Sequence, residues 1–171
     1  MKILFFLIPP VIVLSVSLSG KQQPPLKASI ERGKKVYAAV CMACHQPDGL
    51  GVQRMNPPLV QTKWVLGDKK ALATIVLNGL KGGEIEIDGD DFHNPMPPQA
   101  TQLTDQQIAD ALTYVRNSFG NKASAVSPAE VKAARIAAGA PAAKPNAVPL
   151  LPAVKKPAGT TPHKKTLVKH S

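Results

Sequence analysis

The sequence predicts a small all-α domain with long loops, and three observations support this fold class. Several stretches between residues 28 and 120 combine a capping residue with apolar residues at helical spacing. The loops between them are too long for an ordinary compact bundle unless something fills the space they enclose. Residues 1–20 are apolar and residues 121–171 are rich in Ala, Pro and Lys, so the packed domain is expected over residues 28–120.

The first predicted helix begins after Ser29, a residue type that favours the N-cap position. Four residues then fall on one face of this helix, at positions i, i+3, i+7 and i+10, namely Ile30, Gly33, Tyr37 and Val40. A glycine within a helix costs about 1 kcal/mol relative to alanine. Gly33 therefore predicts a position at which another helix comes close.

Two further helices have recognisable starts and ends. Asp68 is predicted to cap a helix over residues 69–78, which Gly79 then terminates. Thr104 opens a capping box at the start of the last strong helix, and Gly120 is predicted to end it. The apolar stripe of this last helix consists of Ile108, Ala111, Leu112 and Val115, with Tyr114 beside it.

The formal net charge of +10 is unevenly distributed along the chain. Residues 28–120 contain nine Lys or Arg and ten Asp or Glu, whereas residues 121–171 contain nine basic residues and one acidic residue. The basic character therefore belongs to the C-terminal segment and not to the predicted domain. Nucleic-acid binding is not expected, because it would require a basic patch on the fold or a recognisable binding motif.

The first 20 residues have the pattern of an export signal. Lys2 precedes an almost entirely apolar run over residues 3–14. Small residues before Gly20 fit a cleavage site, with residues 21–27 as a linker to the domain. An uncleaved membrane anchor is the alternative, although prolines and serines interrupt the apolar run. Either form predicts an exported protein, periplasmic or membrane-associated, in an oxidising compartment.

The only two cysteines of the chain lie in the sequence Cys41-Met42-Ala43-Cys44-His45. This C-x-x-C-H pattern is the haem-attachment signature. On a helical turn, Cys41 and Cys44 share one face, so their thiols can add to the two vinyl groups on one edge of a porphyrin. His45 follows immediately, where its imidazole can reach the iron as the proximal ligand.

Other roles of a C-x-x-C pair fit this chain less well. A redox-active pair expects a βαβ context, whereas the preceding segment has a helical pattern. A structural zinc site needs four ligands, but no second cysteine pair exists, and His93, His163 and His170 are not paired near the motif. A simple disulfide leaves the adjacent histidine unexplained. We therefore predict one covalently bound haem c.

Residues 28–120 resemble class I cytochrome c domains, in which a helix ending in C-x-x-C-H is crossed by a C-terminal helix near a small residue. Gly33, Tyr37 and the attachment motif match the first part of this pattern. The last part is matched by Ile108, Leu112, Tyr114 and Val115. The resemblance implies a small cytochrome c-type helical fold around one covalently attached haem, with Gly33 at the helix crossing.

The family's second iron ligand is a methionine in a Met-Pro context ahead of the last helix, and Met96, which lies between prolines, matches it. The flanking prolines stiffen this loop. His93 is the main alternative, because it is a good iron ligand only three residues away. Met42 lies inside the attachment motif, and Met55 lies in the loop after it, close to the proximal side. The resemblance therefore implies His45 and Met96 as the axial ligands.

The resemblance also implies residues that surround the haem without binding the iron. In the family, a proline carbonyl in the loop after the motif accepts the other N–H of the proximal histidine, and both Pro57 and Pro58 fit. Trp64 lies where related domains have an aromatic residue near a haem propionate, with ordinary core packing as the alternative. Ile85 and Ile87 alternate with acidic residues, which predicts a short extended segment over the haem.

Two elements are predicted after the domain. Ser127, Pro128 and Glu130 have the pattern of a helix start, which predicts an accessory helical extension within residues 121–139. Residues 140–171 are dominated by Pro, Ala and Lys, which predicts a disordered basic tail. This tail either contacts an acidic partner, a cell-wall polymer or an anionic membrane, or serves only solubility.

The predicted function is that of an exported monohaem c-type cytochrome, an electron carrier and not an enzyme. With His45 and Met96 filling both axial positions, the iron has no open site for a substrate. Electrons would pass from a redox protein donor to a redox protein acceptor through the haem edge. Two alternatives are a cytochrome subunit of a larger dehydrogenase or oxidase complex, and a haem protein with an open or displaceable distal site.

Overall fold

The computed structural model describes residues 25–83, 85–87 and 89–144. The predicted signal at residues 1–20 and most of the predicted tail, from residue 145 onward, lie outside the described residues. Within the part of the chain that is described, no helix is both long enough and apolar enough to cross a membrane.

The fold is mainly helical, which confirms the predicted all-α class. The helical elements in chain order are α1 (Leu26–Val36), a π-helical turn (Tyr37–Cys41), α2 (Met42–His45), α3 (Lys63–Leu66), α4 (Lys69–Asn78), α5 (Asp105–Val115) and α6 (Pro128–Ala137). A short antiparallel hairpin of β1 (Glu86–Ile87) and β2 (Asp90–Asp91) lies between α4 and α5. Long loops separate α2 from α3 and the hairpin from α5.

Helix α1 crosses α5 at Gly33, where the sequence predicts a close approach. A Cβ atom on Gly33 would lie 1.9 Å from the carbonyl oxygen of Asp110 and 2.7 Å from Cβ of Tyr114. The carboxylate of Asp110 is buried, and it accepts a hydrogen bond from Ser29 Oγ at 2.5 Å and from Arg32 Nε at 2.6 Å. The missing side chain of Gly33 allows the two helices to come this close, and the hydrogen bonds of Asp110 stabilise the crossing.

The main core lies where α4, α5 and α6 meet the end of α1. Its most buried members are Val36, Ala73, Leu77, Ile108, Val131 and Ala134. The ion pair between Lys69 Nζ and Glu130 Oε1, 2.5 Å apart, joins α4 to α6. The helix predicted after residue 120 therefore packs on the domain and supplies part of its core.

The predicted caps of three helices are confirmed. Asp68, Thr104 and Ser127 each accept a hydrogen bond from a backbone N–H in the first turn of α4, α5 and α6, respectively. At α5 and α6 the third helical residue, Gln107 or Glu130, completes a capping box. These starts are local features, so the sequence alone identifies them.

The prediction that Ser29 caps the first helix is wrong. Helix α1 begins at Leu26, and the carbonyl oxygen of Pro25 accepts hydrogen bonds from the N–H groups of Ala28 and Ser29. The Ser29 hydroxyl donates to Asp110 across the helix crossing and caps nothing. The partner that decides its role is 81 residues away, outside any local pattern.

The prediction that Gly120 ends the last strong helix is also wrong. Helix α5 ends at Val115, whose carbonyl oxygen accepts a hydrogen bond from Asn121 Nδ2 at 2.8 Å. The chain then turns through Phe119 and Gly120, which have φ values of 57° and 80°. The buried Asn121 side chain thus donates to the Val115 carbonyl, which would accept a backbone N–H if the helix continued.

Candidate haem site

An apolar cleft opens between α2, the loop that follows it, α4, the hairpin and the inner face of α5. It contains about 1290 Å³ of space not filled by protein atoms, part of it open to solvent. Cofactor sites are typically clefts with mostly apolar walls and a few placed polar groups, and the residues lining this cleft have that character. Typical lining residues are Leu59, Val65, Leu72, Val76, Phe92 and Leu112.

Both cysteines of the attachment motif line this cleft. Cys41 is the last residue of the π-helical turn, and Cys44 lies in α2. Turns of this kind are rare and often occur at functional sites. Burial raises the pKa of the Cys41 thiol to about 11, whereas the Cys44 side chain is exposed. Both thiols are free and can be reached by one group bound in the cleft.

His45 ends α2 and is buried in the wall of the same cleft. Its Nδ1 lies 2.9 Å from the carbonyl oxygen of Pro57. Because a carbonyl oxygen only accepts hydrogen bonds, Nδ1 carries the proton and Nε2 keeps a lone pair for a metal. Burial lowers the pKa of His45, and the hydrogen bond to Pro57 opposes part of that shift. Of the two prolines left open by the sequence, Pro57 supplies the acceptor.

Met96 also lines the cleft, on the segment between β2 and α5. Its N–H donates to the carbonyl oxygen of Leu80, and its own carbonyl accepts from the Leu80 N–H, both at 2.9 Å. Gly79 permits this pairing, because a Cβ atom there would lie 2.2 Å from the Met96 carbonyl oxygen. The two residues that directly follow α4 therefore fix the backbone of Met96.

The alternative ligands considered from the sequence lie elsewhere. None of His93, Met42 and Met55 is among the residues that line the cleft. His93 is exposed, and the exposed fractions of Met42 and Met55 are 37% and 49%. Among these four residues, the structure brings only Met96 to the cleft that contains His45.

Trp64 and the hairpin form another part of the cleft wall. Ile85 and Ile87 line the cleft, as expected for the extended segment predicted there. The indole Nε1 of Trp64 lies 3.4 Å from the carbonyl oxygen of Glu86. Trp64 is therefore a lining residue linked to the hairpin, and its contact with a haem propionate stays a prediction.

Sequence reasoning missed three polar residues at the cleft. Asn94 Nδ2 donates to Asn56 Oδ1 at 3.1 Å, which joins the loop after the motif to the segment carrying Met96. Gln99 is buried and donates to the Pro97 carbonyl, but its Oε1 has no hydrogen-bond partner among the described residues. An unpaired buried acceptor costs free energy. Only the polarity of Gln99, next to a proline-rich loop, could have drawn attention to it.

These residues fit a covalently attached haem. Two thiols could form the covalent attachment, a neutral imidazole with a free Nε2 and a thioether could ligate the iron, and the apolar walls suit a porphyrin. The unpaired Gln99 Oε1 in the lining also indicates a cleft whose polar groups are not satisfied by protein alone. Within the described ranges, no group of three or more His, Cys, Asp or Glu residues could hold a metal ion.

Comparison with known proteins agrees with this geometry. Residues 30–119 match the family described as Cytochrome c. Cytochrome c-552 of Thermus thermophilus is 34% identical over 93 residues, which cover 52% of this chain and 69% of that protein. The family match over residues 30–119 therefore includes the attachment motif, the residues that line the cleft and α5, and it ends before α6.

Two other relatives are subunits of larger enzymes. The cytochrome c subunit of alcohol dehydrogenase (quinone) from Gluconobacter oxydans (strain 621H) is 36% identical over 92 residues, 53% of this chain and 19% of that protein. The Cbb3-type cytochrome c oxidase subunit CcoP of Azospirillum brasilense is 33% identical over 101 residues, 56% of this chain and 30% of that protein. The chain thus spans about a fifth to a third of these two relatives. It belongs to the cytochrome c family, whose domains bind covalently attached haem c and transfer electrons.

Proposed function

We propose that this chain is an exported monohaem cytochrome that passes single electrons between redox partner proteins. In this proposal the haem is attached through Cys41 and Cys44, and its iron is ligated by His45 and Met96. One observation carries the proposal, namely that these four residues line a single apolar cleft. When bound, the haem supplies reversible one-electron chemistry.

The surroundings of the two ligands suit electron transfer. The hydrogen bond from Nδ1 to the Pro57 carbonyl orients His45 and keeps Nε2 directed away from that bond. The pairing with Leu80 holds the backbone of Met96. Thioether ligation favours the reduced iron and raises the reduction potential. Because both ligands are held by backbone contacts, little rearrangement is needed between oxidation states.

The ligand assignment is tested on protein produced with haem-maturation machinery. We expect reduced bands that survive acid-acetone extraction, and the weak far-red band of an iron–thioether bond in the oxidised protein. Met96→Ala should abolish the far-red band, whereas the matched variant His93→Ala should keep it. The opposite pattern would overturn the assignment, and haem that is lost on extraction would overturn the attachment. Carbon monoxide binding by the reduced protein at neutral pH would indicate an open or displaceable distal site.

A subunit of a larger dehydrogenase or oxidase complex is the second candidate function. It is favoured by the relatives that are subunits of alcohol dehydrogenase (quinone) and of a Cbb3-type oxidase. Purification of the tagged chain from its native membranes and periplasm separates the two candidates. Co-purification with a stoichiometric enzyme polypeptide would favour the subunit, whereas recovery as a soluble monomer would favour the free carrier.

We propose in addition that residues 1–20 direct export and that the basic tail, residues 140–171, contacts an acidic partner, with a cell-wall polymer or an anionic membrane as the alternatives. Residues 145–171 of this tail contain five lysines and no acidic residue. Lys144, the last described residue before this segment, donates its N–H to the Thr101 carbonyl at 2.9 Å. A chain truncated after Lys144 should show a flatter dependence of electron-transfer rate on ionic strength with an acidic redox protein. An unchanged dependence would leave the tail with no role in binding.

A further inference from the structure

Arg135 of α6 makes hydrogen bonds to the segment that follows Met96. Its side chain is buried, and Nη1 donates to the Ala100 carbonyl at 2.8 Å while Nη2 donates to the Leu103 carbonyl at 3.1 Å. Nε donates to Asp105 Oδ1 at 2.7 Å, at the first residue of α5. One guanidinium thus fixes both ends of a short stretch, residues 100–105, that leads from the segment carrying Met96 into α5.

The same stretch is connected to the cleft. The Gln99 N–H donates to the Val76 carbonyl at 3.0 Å, and the Ala100 N–H donates to the Leu77 carbonyl at 3.3 Å, so the stretch is tied to α4. Gln99 and Leu103 both line the cleft. Any displacement of residues 99–103 therefore changes the wall beside Met96.

A methionine side chain has three rotatable bonds and binds iron as a neutral thioether. How well this thioether competes with another ligand for the iron therefore depends on how rigidly the backbone of the methionine is held. On the N-terminal side of the loop, the pairing with Leu80 fixes Met96 directly. On the C-terminal side, the contacts of Arg135 are the charged hydrogen bonds that restrain the chain.

We propose that Arg135 is a positioning residue for the distal ligand, although it lies outside the family match that ends at residue 119. By holding residues 100–105, it keeps Met96 at the cleft and disfavours its exchange for an external ligand. The helical extension thereby becomes part of the redox site. This inference rests on the proposed ligation of the iron by Met96.

Lysine cannot replace the arginine in this position. The planar guanidinium offers donors in a fixed fork, and here they reach one carboxylate and three carbonyl oxygens at once, those of Ala100, Leu103 and Pro141. A lysine ammonium keeps the charge but not the fork geometry. Arg135→Lys therefore loosens the stretch while leaving the charge of the chain unchanged.

Arg116 provides a matched control. It is also buried, and it donates to the carbonyl oxygens of Val65 at 2.6 Å and Ser124 at 2.8 Å. Its hydrogen bonds go to oxygen atoms of Val65, Gly67 and Ser124, and to none of residues 96–105. Arg116→Lys therefore removes arginine hydrogen bonds of the same kind, but none of them contacts residues 96–105.

The experiment measures imidazole affinity, the far-red band and the reduction potential of the full holoprotein. For Arg135→Lys we expect about tenfold tighter imidazole binding, the change that loss of one hydrogen bond to a charged group produces. We also expect a weaker far-red band and a lower potential. Arg116→Lys should change the imidazole affinity by less than about twofold, as a substitution remote from the ligand should. Equal changes in the two variants, or none in Arg135→Lys, would overturn the inference.

A second variant keeps the test decisive if Arg135→Lys does not fold. Asp105→Asn removes the charge that faces Nε and should shift the imidazole affinity in the same direction by a smaller factor. Hydrogen exchange at the Gln99 and Ala100 amides should become faster in both variants, and unchanged exchange would contradict the proposal. If Met96→Ala retains the far-red band, the proposed ligation fails. If Met96→Ala loses the band while Arg135→Lys and Asp105→Asn both match wild type, only the inference about Arg135 fails.

Discussion

Gly33 in α1 lies so close to Asp110 in α5 that a Cβ atom on the glycine would be 1.9 Å from the Asp110 carbonyl oxygen. Gly33→Ala must therefore push the two helices apart. Overpacking of this kind costs about 1–3 kcal/mol in the free energy of unfolding. Urea unfolding of the variant should show this loss, whereas Lys34→Ala on the exposed side of α1 should stay within about 0.5 kcal/mol of wild type. If both variants lost the same free energy of unfolding, the helix crossing could accommodate a Cβ atom at Gly33 without cost.

The ion pair at the same crossing predicts an order of stabilities. The exposed fraction is 1% for the Asp110 side chain and 31% for Arg32. Arg32→Met leaves a buried carboxylate with Ser29 as its remaining side-chain donor, which should cost about 3 kcal/mol. Asp110→Asn removes the charge, and the partly exposed arginine can turn to solvent, so about 1 kcal/mol is expected. A greater loss in Asp110→Asn by urea unfolding would contradict this account.

Local chemistry explains which parts of the fold could be predicted. Asp68 and Thr104 cap helices with partners three residues away, so the sequence contains the whole interaction. Gly33 carries an energetic cost within its helix, which made a close contact the simplest explanation. The role of Ser29 depends on Asp110, and the end of α5 depends on Asn121, both through contacts made only after folding.

The site shows the same division. The attachment motif contains both cysteines and His45 within five residues, so the sequence predicts their chemistry directly. The choice of Pro57 over Pro58 depends on a loop conformation that spacing does not determine. Arg135 lies in α6, beyond the family match, and no local sequence pattern connects it to the segment between Met96 and α5 that it contacts.

Tyr37 predicts a pH dependence of stability. Its hydroxyl donates to the Gln46 carbonyl at 2.5 Å, and its ring lies 5.3 Å from that of Tyr114 and 5.4 Å from that of Phe119. Burial raises the pKa of Tyr37 well above its usual range. In the unfolded chain the phenol loses its proton near pH 10, so the unfolded state is favoured progressively above that pH. Stability from this group is therefore complete below about pH 10 and declines at higher pH.

The measurement compares wild type and Tyr37→Phe by urea unfolding from pH 8 to pH 11.5. The variant should be less stable at pH 8 by about 1 kcal/mol, because it lacks one hydrogen bond. The difference between the two proteins should shrink as the pH rises above 10. Parallel curves over the whole range would show that Tyr37 ionises equally in both states.

Alanine variants of Gly79 and Gly83 distinguish the effect of backbone strain from the effect of a steric contact with the backbone of Met96. Their φ values are 70° and 74°, so alanine is strained at either position by about 1 kcal/mol or more. A Cβ atom on Gly79 would lie 2.2 Å from the Met96 carbonyl oxygen and 2.8 Å from the Pro98 nitrogen, whereas one on Gly83 meets nothing within 4 Å. Gly79→Ala should therefore displace Met96, and Gly83→Ala should not.

The far-red band and imidazole affinity of the oxidised holoproteins report the difference. Gly79→Ala should weaken the band and tighten imidazole binding by about tenfold or more, since displacing the backbone removes at least one of the two hydrogen bonds to Leu80. Gly83→Ala should resemble wild type in both measurements while still losing stability to backbone strain. If both variants lose the band, strain at the loop is sufficient to release the ligand. If neither does, the thioether does not depend on the Leu80 pairing, and the backbone of Met96 is held by the contacts on its C-terminal side.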